Sequence, residues 1–336
     1  MSTGTPDTPA PAASRQHECH LVADVGGTHA RFALCTSVDD IHGIEVLGSD
    51  DFPTMEAAIR QYLANQGNPH VRHAVIGIAN PILGDHIKMT NASWEFSIEQ
   101  LRKALKFENL HVINDFTAQA LAIPHLHANE LYKVGGGEAV PGAALGVLGP
   151  GTGLGVSGLV RTPRGRWIPL AAEGGHVSFA PQDDLEAMLW RAARGKHPDH
   201  VSVERLVSGP GLAFIYECLC NDAGQAVQDY SPSQISEHGI ANTDRICRLA
   251  LDTFCAILGT AASDLALTLG ARGGIYIGGG IVKKLGDYFH QSPFRMRFED
   301  KGRFSGYLAA IPVHVIDARQ PALRGAAAYF ETLANE

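Results

Sequence analysis

The chain has few cysteines and no cluster of basic residues. Its six cysteines include no C-x-x-C pair, so the sequence favours neither a disulfide scaffold nor a zinc site. The 27 Lys and Arg are outnumbered by 35 Asp and Glu, which argues against a nucleic-acid binder. We therefore expect reduced thiols, a cytoplasmic location and a small soluble partner.

The chain also lacks the sustained apolar run of a membrane span or a secretory signal. Its longest uncharged stretch, residues 139–160, carries seven Gly and two Pro and is typical of turns between strands. Residues 1–17 are rich in Pro, Thr and Ser and predict a disordered N-terminal tail. No association with a membrane is expected.

Short apolar strands alternate with helical segments along the rest of the chain, a pattern that favours the α/β class. Strands are predicted at residues 21–25, 31–34, 45–47, 74–78, 110–113, 145–148, 154–160, 275–277 and 313–316. Helices are predicted at residues 54–65, 183–194, 243–269, 281–289 and 322–333, with Gly195 and Gly270 just past two of them. A length of 336 residues is enough for two ordinary domains.

Two segments repeat one pattern of strand, Gly-Thr turn and strand. Gly26-Gly27-Thr28 joins the first pair of strands, and Gly151-Thr152-Gly153 joins the second. Such turns offer bare backbone N–H groups and a hydroxyl to phosphate oxygens. The repeat indicates a duplicated architecture in which each half gives one loop to a shared cleft, and two unrelated hairpins are the alternative.

Asp24 lies inside a run that otherwise predicts a buried strand. A buried carboxylate needs a partner, so we expect a cationic group beside it. Next to a phosphate-sized turn, Asp24 suits Mg²⁺ bound through water, although an ordinary Gly-rich hairpin with a turn-capping Asp explains the segment equally well. Neither a P-loop nor a G-x-G-x-x-G after a strand is present.

Other segments place polar or flexible residues at strand ends and bends. Asn114-Asp115 either caps the following helix or holds a substrate hydroxyl and accepts its proton. Glu173-Gly174-Gly175-His176 suits sugar hydroxyls, with a surface loop as the alternative. Glu204 alone indicates only a helix-surface residue, and Gly278-Gly279-Gly280 is either a strand–helix turn or a close approach to a nucleoside.

Taken in order, these segments resemble the bacterial glucokinase family of the actin-like ATPase and hexokinase superfamily. Each is weakly specific alone, but seven in the family's order across about residues 20 to 330 are strongly so. The matching stretches are Ala23-Asp24-Val25-Gly26-Gly27-Thr28-His29-Ala30-Arg31, Met89-Thr90-Asn91-Ala92-Ser93-Trp94, Ile113-Asn114-Asp115-Phe116-Thr117-Ala118, Gly151-Thr152-Gly153-Leu154-Gly155, Glu173-Gly174-Gly175-His176-Val177, Glu204-Arg205 with Ser208-Gly209-Pro210-Gly211-Leu212, and Gly278-Gly279-Gly280-Ile281-Val282.

The resemblance implies a two-domain actin-like (ribonuclease H-like) α/β fold with a cleft between the domains. It places residues 18–125 plus 317–336 in a smaller domain and residues 126–316 in a larger one. The implied activity is transfer of the γ-phosphoryl of ATP to the 6-hydroxyl of glucose, with Mg²⁺ as cofactor and a homodimer as the assembly. A kinase for another hexose, a non-catalytic sugar sensor and a chaperone-type ATPase are the alternatives.

The resemblance also implies a role for each matching residue. Asp115 is the catalytic base. The residues around the sugar are Asn114, Asp115, Glu173, His176, Glu204 and Asn91, with Thr90 at the border. The residues for the nucleotide and metal are Asp24, which holds Mg²⁺, Gly26, Gly27, Thr28, Gly151, Thr152, Gly153, Gly278, Gly279 and Gly280. A related branch of repressors and kinases carries a Cys-rich zinc loop after its Glu-Gly-Gly-His region, and residues 177–184 contain no Cys here.

Overall fold

The computed structural model describes residues 19–90 and 93–333. The strands are β1 (Cys19–Val25), β2 (His29–Cys35), β3 (Ile41–Gly48), β4 (Val71–Ile78), β5 (His86–Lys88), β6 (Glu95–Ser97), β7 (Asn109–Asn114), β8 (Leu131–Lys133), β9 (Leu145–Pro150), β10 (Leu154–Arg161), β11 (Trp167–Leu170), β12 (Ile275–Ile277) and β13 (Val313–Ile316). The helices are α1 (Met55–Asn65), α2 (Ile98–Leu105), α3 (Asp115–Ala122), α4 (Asp184–Lys196), α5 (Gly209–Asp222), α6 (Pro232–Ala241), α7 (Arg245–Leu269), α8 (Gly280–Leu285), α9 (Asp287–Gln291), α10 (Phe294–Glu299), α11 (Ser305–Ala309) and α12 (Pro321–Leu333).

Two sheets repeat one topology, so the predicted duplication is confirmed. The first has the order β3-β2-β1-β4-β7, with an antiparallel meander followed by two parallel strands. The second has the order β11-β10-β9-β12-β13 in the same senses, and β8 is added antiparallel to β13 at its edge. Corresponding strands therefore carry the two Gly-Thr turns, one at the end of β1 and one at the end of β9.

Both sheets are covered on both faces, which explains their continuous apolar strands. In β1, Leu21 packs toward α1 and α2, whereas the next residue, Val22, packs toward the second sheet. In β9, Val147 joins that same central layer and Leu148 joins the core around α7. The alternation leaves one shared apolar layer between the sheets.

Helices α3 and α12 form much of that shared layer. Gly325 of α12 lies so close to α3 that a Cβ there would overlap the Ala118 carbonyl oxygen. Gly155 of β10 lies against the Phe116 ring of α3, and a Cβ there would overlap the ring. Glycine at these two positions lets α3 lie against both α12 and the second sheet, which fixes the residues at its first turn.

Side-chain caps account for the starts of α1 to α7. Thr54 accepts a hydrogen bond from the Ala57 N–H and starts α1, and Gly270, with φ near +60°, ends α7 as predicted. Helix α7 is as long and apolar as a membrane span, but 78% of its most apolar 18-residue window is buried inside the protein. It is the central helix of the core beside the second sheet.

Several predicted boundaries were wrong. Helix α4 continues through Gly195 to Lys196, because the backbone at Gly195 stays helical instead of turning left-handed. The helix predicted at residues 281–289 is broken at Gly286, where φ is +53°. Helices α2, α5, α6, α10 and α11 and the short strands β5, β6, β8 and β11 were not predicted. The expected tail at residues 1–17 lies outside the described residues.

Candidate active site

Asp115 occupies the junction between the parallel strand β7 and helix α3. It is the first residue of α3, and its Oδ1 accepts a hydrogen bond from the Phe116 N–H at 2.9 Å. Burial raises the pKa of this carboxyl to about 7, and the Asp24 carboxylate adds to the rise, with a smaller contribution from Glu173. A carboxyl with this pKa changes its protonation near neutral pH, as a general base requires.

Asp24 has the cationic partner that its buried position predicted. Arg31 faces it across the β1–β2 hairpin, and the Arg31 Nη1 lies 3.3 Å from the Asp24 Oδ2. Burial nevertheless raises the pKa of Asp24, because this ion pair offsets the desolvation only in part. Gly27 and Thr28 follow in the turn of the hairpin, where the Thr28 side chain is exposed.

Asn114 caps α3, as the simpler of its two predicted roles requires. Its Oδ1 accepts hydrogen bonds from the N–H groups of Phe116 and Thr117, and its Nδ2 donates to the Asn80 carbonyl at 3.4 Å. Asn80 also binds the Thr90 backbone N–H through its Oδ1 at 3.0 Å. Asn80 thus ties the segment around Thr90 to the start of α3, and Asn91 lies outside the described residues.

His176 and Glu204 are brought together by a short pairing of the segments that carry them. Ser178 and Ser202 form an antiparallel bridge, and the Val203 N–H donates to the Val177 carbonyl at 3.0 Å. The His176 Nδ1 then lies 4.0 Å from the Glu204 Oε1. Both side chains keep solvent access, with 61% and 26% of their side-chain surface exposed. The pair offers an imidazole and a carboxylate to solvent.

The second Gly-Thr turn is bound to the segment that carries Glu204. The Glu204 Oε2 accepts a hydrogen bond of 2.8 Å from the Leu154 N–H, directly after Gly153. The Gly209 N–H donates to the Gly151 carbonyl at 2.8 Å. The turn is therefore held at both of its ends.

The Gly278-Gly279-Gly280 segment lies against the end of β9. The Gly278 N–H donates to the Leu148 carbonyl at 2.8 Å, and a Cβ on Gly149 would come within 2.6 Å of the Gly278 carbonyl carbon. Gly279 has φ +81°, which favours glycine. Gly151, Thr152 and Gly280 share a cavity of about 690 Å³, of a size that suits a cofactor, with Ser233, Glu237 and Lys284 among its other lining residues.

The predicted site residues thus form two connected groups. Asp24, Asp115 and Glu173 are close enough for their charges to interact. Thr152, Gly153 and Glu204 lie together, and so do Gly151, Thr152 and Gly280. The Gly26-Gly27-Thr28 turn does not line the 690 Å³ cavity.

Three contributors were missed by the sequence analysis. Arg31 pairs with Asp24, Asn80 binds the Thr90 backbone N–H, and the Phe116 ring packs the first turn of α3 against Gly155. The register of a symmetrical hairpin around residues 27 and 28 would have paired Asp24 with Arg31. No local signal indicates Asn80.

Comparison with known proteins decides the family. The glucokinase family model matches residues 21–333. The chain belongs to the glucokinase family. It is 54% identical to the glucokinase of Ralstonia nicotianae over 318 residues, covering 91% of this chain and 93% of that one. It is 52% identical to the glucokinase of Chromobacterium violaceum over 329 residues, covering 98% and 91%.

Solved structures agree with this assignment. A glucokinase from an Antarctic psychrotroph superimposes with a TM-score of 0.85 at 38% identity, covering 94% of this chain and all of that one. A glucokinase from Balamuthia mandrillaris in complex with glucose has a TM-score of 0.77 at 20% identity, covering 94% of each chain. The predicted family, two-domain α/β fold and function, an ATP-dependent glucokinase, are confirmed.

Proposed function

We propose that Asp115 accepts the proton of the glucose 6-hydroxyl while that oxygen takes the γ-phosphoryl of ATP. The observation that carries this assignment is the pKa of Asp115, raised to about 7 by burial, then by Asp24, with a smaller share from Glu173. A carboxylate with a pKa of about 7 is a stronger base than an exposed carboxylate, and a useful fraction of it is still ionised near neutral pH. Phosphoryl transfer otherwise asks mainly for alignment and charge neutralisation.

The sugar is proposed to lie between the start of α3 and the His176–Glu204 pair. Glu173, His176 and Glu204 supply acceptors and a donor for the ring hydroxyls, and the Asn114 amide has a weak contact of 3.4 Å that a hydroxyl can replace. Asn91 stays a proposed neighbour of the sugar. A hydroxyl buried without its partner costs about 1–3 kcal/mol, so these residues should act mainly on glucose affinity.

The nucleotide is proposed to lie along both Gly-Thr turns, with its nucleoside in the cavity beside Gly280. Gly26, Gly27 and Thr28 would meet one phosphate and Gly151, Thr152 and Gly153 another, through backbone N–H groups. Gly278, Gly279 and Gly280 would allow the nucleoside to approach the backbone. The structure of a ROK family glucokinase from Streptomyces griseus, in complex with glucose and AMPPNP, superimposes on this chain with a TM-score of 0.63.

Mg²⁺ fits the Asp24 position. Asp24 is a hard oxygen ligand near the end of β1, and its ion pair with Arg31 is as long as 3.3 Å. Among residues 19–90 and 93–333 no group of three or more His, Cys, Asp or Glu could form a metal cage, so Asp24 would act through water and substrate oxygens would complete the shell. When bound, the ion would neutralise charge on the transferring phosphates.

We also propose the domain boundaries, assembly and location. Residues 18–125 plus 317–336 would form the smaller domain and residues 126–316 the larger, which agrees with the membership of the two sheets. A homodimer is proposed because closed two-fold pairs are the commonest oligomers. Light scattering should then give twice the chain mass of 35.8 kDa. Six free thiols favour the cytoplasm.

The decisive experiment is a coupled assay of the wild type and the Asp115→Ala variant. Hexose-dependent consumption of ATP is expected from the wild type, and the variant should lose about 10²- to 10⁴-fold in kcat while glucose still binds. Wild-type turnover in the variant would refute the assignment of the base. Crossing glucose, mannose and glucosamine with ATP, ADP and polyphosphate defines the acceptor and donor. A sugar sensor would consume no ATP, and a chaperone-type ATPase would not need the hexose.

A further inference from the structure

The segment that carries Glu204 holds both ends of the second Gly-Thr turn. At the start of the turn, the Gly209 N–H donates to the Gly151 carbonyl at 2.8 Å. At its end, the Leu154 N–H donates to the Glu204 Oε2 at the same length. The turn itself is closed by a hydrogen bond of 2.8 Å from the Gly151 N–H to the Gly153 carbonyl. The side chain at 204 therefore makes one of the three hydrogen bonds that hold the turn.

Gly153 has no Cβ, and this allows the Glu204 carboxylate to approach the turn. A Cβ on Gly153 would collide with the Glu204 Oε2. The backbone at Gly153 lies outside the left-handed region, so the turn itself does not demand glycine there. The space that a Cβ would fill is the space that the Glu204 carboxylate uses.

The position of Glu204 is itself fixed. Its backbone carbonyl accepts a hydrogen bond from the Ser208 hydroxyl at 2.8 Å, and the Ser208 Oγ also caps α5 by accepting the Gly211 N–H at 3.1 Å. The other carboxylate oxygen, Oε1, faces His176 at 4.0 Å. One carboxylate thus has an oxygen on the phosphate turn and an oxygen toward the proposed sugar site.

We propose that Glu204 is a positioning residue for the nucleotide as well as a sugar ligand. This inference rests on the proposed function, because it takes the Gly151–Gly153 turn as a phosphate site. Through the Leu154 N–H, Glu204 holds the turn in the shape that receives phosphate. A sugar hydroxyl on Oε1 restricts the carboxylate further, so sugar and nucleotide are expected to bind cooperatively.

The test compares three variants by titration calorimetry with AMPPNP and Mg²⁺ in the absence of sugar. Glu204→Ala removes the acceptor of the Leu154 N–H and should weaken AMPPNP binding about tenfold, equal to about 1.4 kcal/mol. Glu204→Gln keeps an amide oxygen for that N–H and should stay within about twofold of the wild type. His176→Ala, the matched control on the sugar side, should also leave AMPPNP affinity within about twofold.

A fourth variant tests the same contact from the other side. Gly153→Ala keeps Glu204 but displaces its carboxylate, so it should weaken AMPPNP binding to a similar extent. If a thermal melt shows that Glu204→Ala does not fold, Gly153→Ala takes its place in the test. Unchanged AMPPNP affinity in both Glu204→Ala and Gly153→Ala overturns the inference.

A separate readout tests the proposed function. The KM for glucose should rise in Glu204→Ala, Glu204→Gln and His176→Ala alike. If the glucose KM rises while AMPPNP affinity stays constant, the sugar site stands and the positioning role fails. If AMPPNP affinity falls in Glu204→Ala and the glucose KM stays constant in all three, the positioning role stands and the proposed sugar site is wrong.

Discussion

Replacing Asp115 by asparagine should stabilise the folded protein at pH 8 while it removes turnover. The pKa of Asp115 is raised from 3.8 to about 7, chiefly by burial, so folding favours the protonated carboxyl. A group whose pKa is raised on folding contributes its full stability below the unfolded pKa and loses it as pH rises through the folded pKa. The wild type is therefore expected to lose stability between about pH 4 and pH 7.

The size of the gain follows from the shift. A rise from 3.8 to about 7 corresponds to roughly 4 kcal/mol at about 1.4 kcal/mol per pKa unit, as an upper limit. Water around the partly exposed carboxylate reduces this, and about 2 kcal/mol is a realistic gain at pH 8. Asparagine keeps an oxygen for the Phe116 N–H, so the start of α3 should be preserved.

Urea unfolding of the wild type and Asp115→Asn at several pH values between 5 and 8.5 measures this effect. The difference in free energy of unfolding should grow with pH and level off above about pH 8. A difference that is the same at pH 5 and pH 8, or a variant that is less stable at pH 8, would refute the reasoning. Because Asp24 is the second cause of the shift, the gain should be smaller in an Asp24→Asn background.

Three further predictions concern the pH dependence of activity, the end of helix α4 and the packing of α3 against β10. The acid limb of the kcat/KM profile should have an apparent pKa near 7, and a limb near 4 would contradict the burial of Asp115. Gly195→Ala should raise the free energy of unfolding by about 0.5–1 kcal/mol in a thermal unfolding experiment, because Gly195 is exposed inside α4. If Gly195 were a left-handed C-cap, the same substitution would lower the free energy of unfolding. Gly155→Ala should lower the free energy of unfolding by about 1–3 kcal/mol in a denaturant assay, because the new Cβ displaces Phe116. The control Gly84→Ala, whose new Cβ has no atom within 4 Å, should change the free energy of unfolding by less than about 0.5 kcal/mol.

The architecture was largely readable from the sequence because its signals are local. The two Gly-Thr hairpins, the caps at Thr54 and Gly270 and the long apolar stripe of α7 each depend on a few adjacent residues. Helices α5 and α6 were missed because their sequences carry Gly, Pro or Ser in the first turn, which also predict loops. Gly195 misled for the same reason, since a glycine signals a helix end only where its backbone turns left-handed.

The residues of the candidate site could be proposed from the sequence, but their contacts could not. Asp24 called for a cation, and Arg31 is that cation because hairpin register places it opposite. The raised pKa of Asp115 could not be predicted from neighbouring residues, since it depends on burial in the folded protein and on the Asp24 carboxylate from another strand. Asn80 has no local signature, because its partners at Thr90 and Asn114 are 10 and 34 residues away.

Glycines near the second turn explain why the remaining contacts stayed hidden. Gly153 and Gly155 suggest only a flexible loop for phosphate, yet each also admits a side chain from a distant segment, Glu204 at one and Phe116 at the other. Phe116 is the neighbour of the proposed base, and Glu204 is a proposed sugar ligand. The turn therefore connects the residues around the sugar to the residues around the phosphates, and alanine at either glycine should displace a side chain that comes from a distant segment.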